Sequence, residues 1–164
     1  MTSQKSNNQT NKKIYVAFYK HKVKIKNWQT FKEAVIDWVI RFVTKSQYSH
    51  CELVVKRPNL GLGLYDCYSS SPRDGGVRKK VMALPSDKWD LIEITHIGVN
   101  RPRNTFKKYV GKEYDWLGVL GFALHKDDKN KYFCSEYCSE ILGLAETHLS
   151  PQQLYQQLTL TARG

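Results

Sequence analysis

The chain has 164 residues, of which 41% are hydrophobic and 12% aromatic, and its formal net charge is +11. This length and composition exclude a disordered chain and suffice for one domain with its own core. The charge suits an acidic partner such as an acidic polymer, nucleic acid or an anionic membrane surface, but the lysines are scattered and no specific nucleic-acid site is evident.

Residues 1–13 are rich in Ser, Asn, Gln and Lys. We therefore expect a disordered polar tail there, followed by a single domain over residues 14–164. No secretory signal is recognised, and the longest apolar runs, 34–43 and 117–124, are too short to span a membrane. Four cysteines without a signal peptide are expected to be free thiols in a reducing compartment.

The first half of the domain is predicted to place a long helix among strands. Thr30 and Glu33 form a capping box, and apolar residues recur behind it at helical spacing, which predicts a helix over residues 30–44. Other runs are rich in the β-branched and aromatic residues that are typical of strands. The predicted strands are 14–19, 49–56, 62–68, 77–82 and 91–97.

The second half is predicted to be helical. Ser150 and Pro151 suit the N-cap and the first position of the last helix. The predicted helices are 104–111, 114–124, one that begins near Cys134, and 151–158, with a charged loop at 126–131. This order of elements predicts an α+β domain in which an antiparallel sheet packs against helices.

The segment around Cys134 carries the strongest chemical signal. Apolar positions recur at Cys134, Cys138, Ile141 and Leu142, which places Cys134 in the first turn of a helix, on its inward face. A thiol there is close to the positive end of the helix dipole, which favours the nucleophilic thiolate. Cys134 is therefore the candidate nucleophile, and its backbone N–H is a candidate oxyanion donor.

A cysteine nucleophile needs a base, and the best candidate is His50. It lies in an alternating strand that places Tyr48, His50 and Glu52 on one face. A lone histidine in a strand is more often structural than catalytic. A catalytic role for His50 therefore also requires a polar group that fixes its tautomer and stabilises the imidazolium.

The next predicted strand supplies Asp66 as this orienting group. A carboxylate on an adjacent strand can reach a neighbouring histidine across a sheet. Ser69 and Ser70 follow closely and are alternatives for the third position. Tyr19, at the end of the first strand, is a candidate for a second oxyanion donor.

A zinc site is an alternative interpretation of the same residues. Cys134 and Cys138 share a helical face, and His50 and Cys51 could complete four ligands. The chain has no CxxC pair and no HxxxH spacing, and it has no glycine-rich phosphate loop. The sequence therefore favours a Cys/His site without a metal or organic cofactor.

Two motifs carry a family resemblance. Tyr-Ser-His-Cys-Glu-Leu-Val-Val from Tyr48, followed by Tyr-Phe-Cys-Ser-Glu from Tyr132, resembles the permuted branch of the NlpC/P60 papain-like superfamily, which includes YiiX/YaeF-like proteins and phage relatives. Segments 69–78, 114–118 and 149–154 support the resemblance, which covers about residues 14–158.

The resemblance implies a circularly permuted papain-like fold with His50 before Cys134 in the chain. It implies that Cys134 is the nucleophile, His50 the base and Asp66 the third residue. Members of the group cleave or transfer amide or ester acyl groups of cell-wall peptides, other peptides or lipids. The implied location is the bacterial cytoplasm or a phage particle. The alternative function is a non-enzymatic, basic binding or structural protein on the same scaffold.

Overall fold

The computed structural model describes residues 12–22, 24–58, 63–114 and 131–161. The strands in these ranges are β1 (Ile14–Tyr19), β2 (His50–Lys56), β3 (Leu64–Ser71), β4 (Gly76–Ala83), β5 (Trp89–Ile94), β6 (Glu113–Tyr114) and β7 (Lys131–Tyr132). The helices are α1 (Trp28–Thr44), α2 (Arg101–Tyr109), α3 (Cys134–Leu142) and α4 (Pro151–Thr161).

The described strands form one sheet in the order β5-β1-β2-β3-β4-β6-β7. Neighbouring strands are antiparallel except for the short parallel pair of β6 and β7. The register places Tyr19 of β1 opposite His50 of β2 on one side and opposite Trp89 of β5 on the other. These three residues therefore lie together at one end of the sheet.

The main core lies on one face of the sheet. Alternate residues of β1 and β2, including Phe18, Cys51 and Leu53, pack there against α3 and α4. The same alternation sends Ala17 and Val54 to the opposite face, where they form a second, smaller cluster with Cys67. His50 and Glu52 share the parity of Val54, so the candidate base belongs to the face opposite α3.

The α+β prediction is confirmed, although several boundaries differ from those expected. β3 continues through Ser71 because its three serines are buried, and Ser69 and Ser70 hydrogen-bond to backbone carbonyls of neighbouring segments. In sequence, a serine cluster is usually a strand boundary. α2 begins at Arg101, earlier than predicted, because Pro102 occupies the start of the helix.

Some predictions fall outside the described residues. They include the helix predicted at 114–124, except that Tyr114 is in β6, and the charged loop except for Lys131 in β7. Most of the tail predicted at 1–13 also lies outside them. Within the described ranges, no helix combines the length and apolar character needed to cross a membrane.

Candidate active site

Cys134 is the first residue of α3. The preceding Phe133 is extended, with φ −92° and ψ 169°, and supplies no side-chain cap. The first N–H groups of a helix lack intrahelical acceptors, so Cys134 lies where unpaired donors and the helix dipole favour a negative charge. The helix ends after nine residues at Gly143, whose left-handed backbone is readily adopted by glycine.

His50 and Cys134 lie close enough for each side chain to shift the pKa of the other. His50 can be reached by the start of α3 because it is the first residue of β2. Burial by itself lowers the pKa of His50, but hydrogen bonds to Cys134 and Glu52 outweigh it and raise the pKa to about 9. The imidazole is therefore charged at neutral pH.

Three neighbouring groups lower the pKa of Cys134. The interaction with the Cys51 thiol has the largest effect, and the His50 imidazole and the Cys51 backbone N–H act in the same direction. Together they overcome burial, which opposes ionisation of this thiol, and hold its pKa well below the usual range. The directions of both pKa shifts favour a thiolate beside an imidazolium.

Glu52 is the carboxylate that contacts His50. Its Oε1 lies 3.2 Å from Nε2 of the histidine, and its side chain is only 1% exposed. Because Nε2 faces this carboxylate, Nδ1 is the ring nitrogen left to exchange a proton with the thiol. Glu52 therefore occupies the orienting position that a histidine base requires.

Arg78 neutralises Glu52 from the far side. Its two terminal nitrogens donate to the two carboxylate oxygens at 2.6 and 2.9 Å. Burial by itself raises the pKa of Glu52, but hydrogen bonds from His50 and Arg78 lower it below its usual value. The carboxylate is therefore ionised while buried, as expected for a bidentate guanidinium partner.

A small residue on the intervening strand allows this contact. Arg78 pairs with Ser69 in the β3–β4 register, and the Ser69 hydroxyl donates to the backbone carbonyl of Cys51 at 2.7 Å. A short side chain at Ser69 leaves room for the Arg78 guanidinium to cross β3 and reach Glu52. The Ser69 hydroxyl thus donates to backbone carbonyls, those of Cys51 and Ser70.

The expectation that Asp66 orients His50 is wrong, because Asp66 lies on the other face of the sheet. Asp66 is opposite Val55 in the β2–β3 register, and strand alternation places Val55 on the sheet face away from His50. Asp66 instead binds Arg57 at 2.9 Å and Lys79 at 3.0 Å. Ser70, the other alternative, donates to the backbone carbonyl of Tyr132.

The other three cysteines are buried and free. The Sγ atoms of Cys51 and Cys138 are 3.8 Å apart, and burial raises the pKa values of Cys51 and Cys67. Within the described residues, no group of three or more His, Cys, Asp or Glu side chains could hold a metal ion. The zinc interpretation therefore has no support from the geometry.

A cavity of about 190 Å³ adjoins the site. His50 and Glu52 line it, together with Tyr19, Trp89 and the inward side of α1. Cys134 does not line it and is 2% exposed. A ligand entering this cavity therefore has to pass His50 to reach Cys134.

Tyr19 lies in the same cavity, opposite His50 in the sheet. Its ring contacts Trp89 at 5.0 Å between centroids. Burial raises the pKa of its hydroxyl, so the group remains a neutral donor. Its use as a second oxyanion donor stays a prediction.

The sequence analysis missed Glu52 as the orienting group and Arg78 as its partner. Alternation had placed His50 and Glu52 on one strand face, which was the available signal. No protein-family model, curated protein or solved structure matches the chain.

Proposed function

We propose that this protein is a cysteine-dependent acyl-transfer enzyme, a hydrolase or acyltransferase that acts on amide or ester bonds. The observation that carries the proposal is the thiol of Cys134 at a helix start, close to His50, whose Nε2 contacts the buried carboxylate of Glu52. Nucleophile, base and orienting group are the parts that covalent acyl transfer requires.

In the proposed reaction, the Cys134 thiolate attacks the carbonyl carbon and forms a tetrahedral oxyanion. The backbone N–H of Cys134 donates to that oxyanion. The His50 imidazolium then gives its proton to the leaving amine or alcohol as the bond breaks, which leaves a thioester on Cys134. Neutral His50 next takes a proton from water or another acceptor, which attacks the thioester and releases the thiolate.

Glu52 acts as a positioning residue in this scheme. Its contact with Nε2 fixes the imidazole, and its charge stabilises the imidazolium. Arg78 keeps Glu52 ionised inside the protein. The third position that the family resemblance assigned to Asp66 is therefore transferred to Glu52.

The proposal includes a circularly permuted papain-like fold. A helix that presents a cysteine at its first residue packs on an antiparallel sheet that presents a histidine, and the histidine comes first in the chain. This arrangement supports the resemblance of the two motifs. Cell-wall peptides, other peptides and lipid acyl groups are the substrate classes that the resemblance suggests.

One observation favours the second candidate, a non-enzymatic binding or structural protein. Cys134 is 2% exposed and does not line the cavity, whereas an active nucleophile must meet its substrate. The net charge of +11 would then serve to bind an acidic polymer or an anionic membrane.

An acyl-trapping experiment separates the two candidates. The protein is mixed with p-nitrophenyl acetate and quenched, and the acetylated peptides are identified by mass spectrometry. An enzyme acquires one acetyl group on Cys134, and His50→Ala loses it, whereas Cys67→Ala keeps it. Absence of the adduct in the parent protein, or equal acetylation of Cys67, would exclude the acyl-transfer function.

A further inference from the structure

The cavity beside His50 is lined by a guanidinium that no carboxylate of the described residues neutralises. Arg73 lines the cavity from the turn between β3 and β4, and its side chain is exposed. Among the described residues, Arg73 makes no ion pair or hydrogen bond. A cation placed at a cavity without a partner is available to bind an anionic group of a ligand.

The other charges that line the cavity are already paired. Arg78 binds both Glu52 and Asp74, and Lys80 binds Asp74. The remaining carboxylate, Asp37, binds Arg41 of the same helix at 2.9 Å. His50 is itself paired with Glu52, so Arg73 is the cation of the described cavity lining that has no carboxylate partner.

Arg73 is close to the part of the cavity that Tyr19 and His50 line. Burial raises the pKa of the Tyr19 hydroxyl, and the nearby guanidinium of Arg73 opposes this rise. Tyr19 is in turn opposite His50 in the sheet. A ligand bound to Arg73 would therefore extend from the turn towards the imidazole.

The size and remaining walls of the cavity limit what fits. Its volume of about 190 Å³ is smaller than the roughly 300 Å³ at which pockets for drug-sized ligands begin. Ile36 and Ile40 of α1, with Met82 and Trp89, supply apolar walls. A short acyl chain with one anionic end matches this combination.

We propose that Arg73 is a specificity-determining residue that binds the anionic end of a short acyl group, a carboxylate or a phosphate-type anion, while the acyl carbonyl is presented towards His50 and Cys134. This inference rests on the proposed function, because it names the substrate class of that same site.

The test measures binding in Cys134→Ala, which carries out no acyl transfer. The probes are succinamate, which carries a carboxylate, its neutral counterpart succinamide, and 3-phosphonopropanamide. Binding is followed by NMR through the indole N–H of Trp89, assigned with Trp89→Phe. We expect at least one anionic probe to bind about tenfold more tightly than succinamide, since charge-assisted hydrogen bonds are the strong ones.

Two further variants in the same background locate the effect. Arg73→Gln should abolish the preference for the anion and Arg73→Lys should retain part of it. Arg103→Gln, which removes one exposed positive charge from α2 outside the cavity, should leave it unchanged. Preference for the phosphonate would indicate a phosphate group, and preference for succinamate a carboxylate.

The inference is overturned if the three probes bind equally, if none binds, or if the preference survives Arg73→Gln. Because the binding experiment involves no catalysis, its failure is distinct from failure of the proposed function. Arg73-dependent binding together with an absent acetyl adduct would reject the enzyme and retain the anion site.

Discussion

Two carboxylates of the sheet, Glu52 and Asp66, differ in their surroundings and in the groups to which they connect. Glu52 is 1% exposed and lies between His50 and Arg78, whereas Asp66 is 18% exposed and lies between Arg57 and Lys79 on the opposite face. Hydrogen bonds lower the pKa of each below its usual value against the effect of burial. Only Glu52 is connected to the candidate nucleophile, through His50.

The difference shows how strand alternation selects the orienting group. Asp66 is on the neighbouring strand, but its register with Val55 points it to the wrong face. Glu52 is two residues from His50 on the same strand, which keeps both side chains on one face. For two side chains to meet in a sheet, lying on the same face is therefore a stricter requirement than lying on adjacent strands.

The largest effect on activity is expected when the candidate nucleophile, Cys134, is removed. Cys134→Ala should lower acyl transfer by at least about a thousandfold, because it removes the nucleophile, and burial raises the pKa values of Cys51 and Cys67. It should cost only about 1 kcal/mol in the free energy of unfolding. Steady-state kinetics and urea titration measure the two effects.

Cys138→Ala is the control for that substitution, since Cys138 is on the same helix one turn further on. It should retain activity at a similar cost in stability. Equal loss of activity in the two variants would contradict the assignment of the nucleophile.

Removing the charge of Glu52 should have the largest effect on stability. Glu52→Gln leaves the guanidinium of Arg78, 14% exposed, without one of its two carboxylates. Breaking a buried ion pair in this way typically costs about 3–5 kcal/mol. Urea unfolding of the variant should show a loss of this order, and a loss below about 1 kcal/mol would mean that the pair is not buried as described.

A change in the pH profile should distinguish positioning from stability. The pKa of His50 is raised to about 9, so its proton is present below that value and is lost as pH rises through it. The upper limb of the activity profile should therefore lie near pH 9. Glu52→Asp, which withdraws the carboxylate by one methylene, should move that limb towards the ordinary histidine value of about 6.5.

The raised pKa of His50 also makes the stability of the folded protein fall at high pH. A raised pKa in the folded protein means that the His50 interactions contribute fully below about pH 6.5 and are lost as pH rises through about 9. If the upper limb stays near pH 9 in Glu52→Asp, the contact with Nε2 does not orient the histidine.

The smallest effect is expected at the other carboxylate. Asp66→Asn breaks pairs with Arg57 and Lys79, which are both about one-third exposed, so solvent screens the loss. The free energy of unfolding should fall by less than about 1 kcal/mol and kcat/KM should change less than twofold. A loss of activity comparable to that of Glu52→Asp would restore Asp66 as the third residue.

Local sequence patterns were sufficient to predict the elements that carry Cys134 and His50. The helical spacing behind Cys134 and the alternation around His50 placed both residues in the elements where they are found. The partners of His50 were harder to predict because they depend on register. The Arg78 side chain crosses a strand at Ser69, a contact that no single segment encodes.

The thiol of Cys51 illustrates the same limit. Strand alternation places it on the core side of β2, where a cysteine is usually a small hydrophobe. Its effect on the pKa of Cys134 arises only when α3 packs onto β2, which brings the two thiols together. Tertiary packing of this kind is not visible in the sequence pattern of either element.

The pH dependence of alkylation at Cys134 tests the central claim most directly. Each cysteine is followed by peptide mass spectrometry during reaction with iodoacetamide at about pH 6 and pH 8. An ordinary thiol, with a pKa of about 8.5, slows by nearly a hundredfold between these values because the thiolate reacts. Cys134 should slow by less than about threefold, and His50→Ala should steepen its dependence, while Cys67 behaves at least as steeply as an ordinary thiol. A hundredfold fall at Cys134 in the parent protein would show that its thiol is protonated at rest and would contradict the thiolate–imidazolium pair.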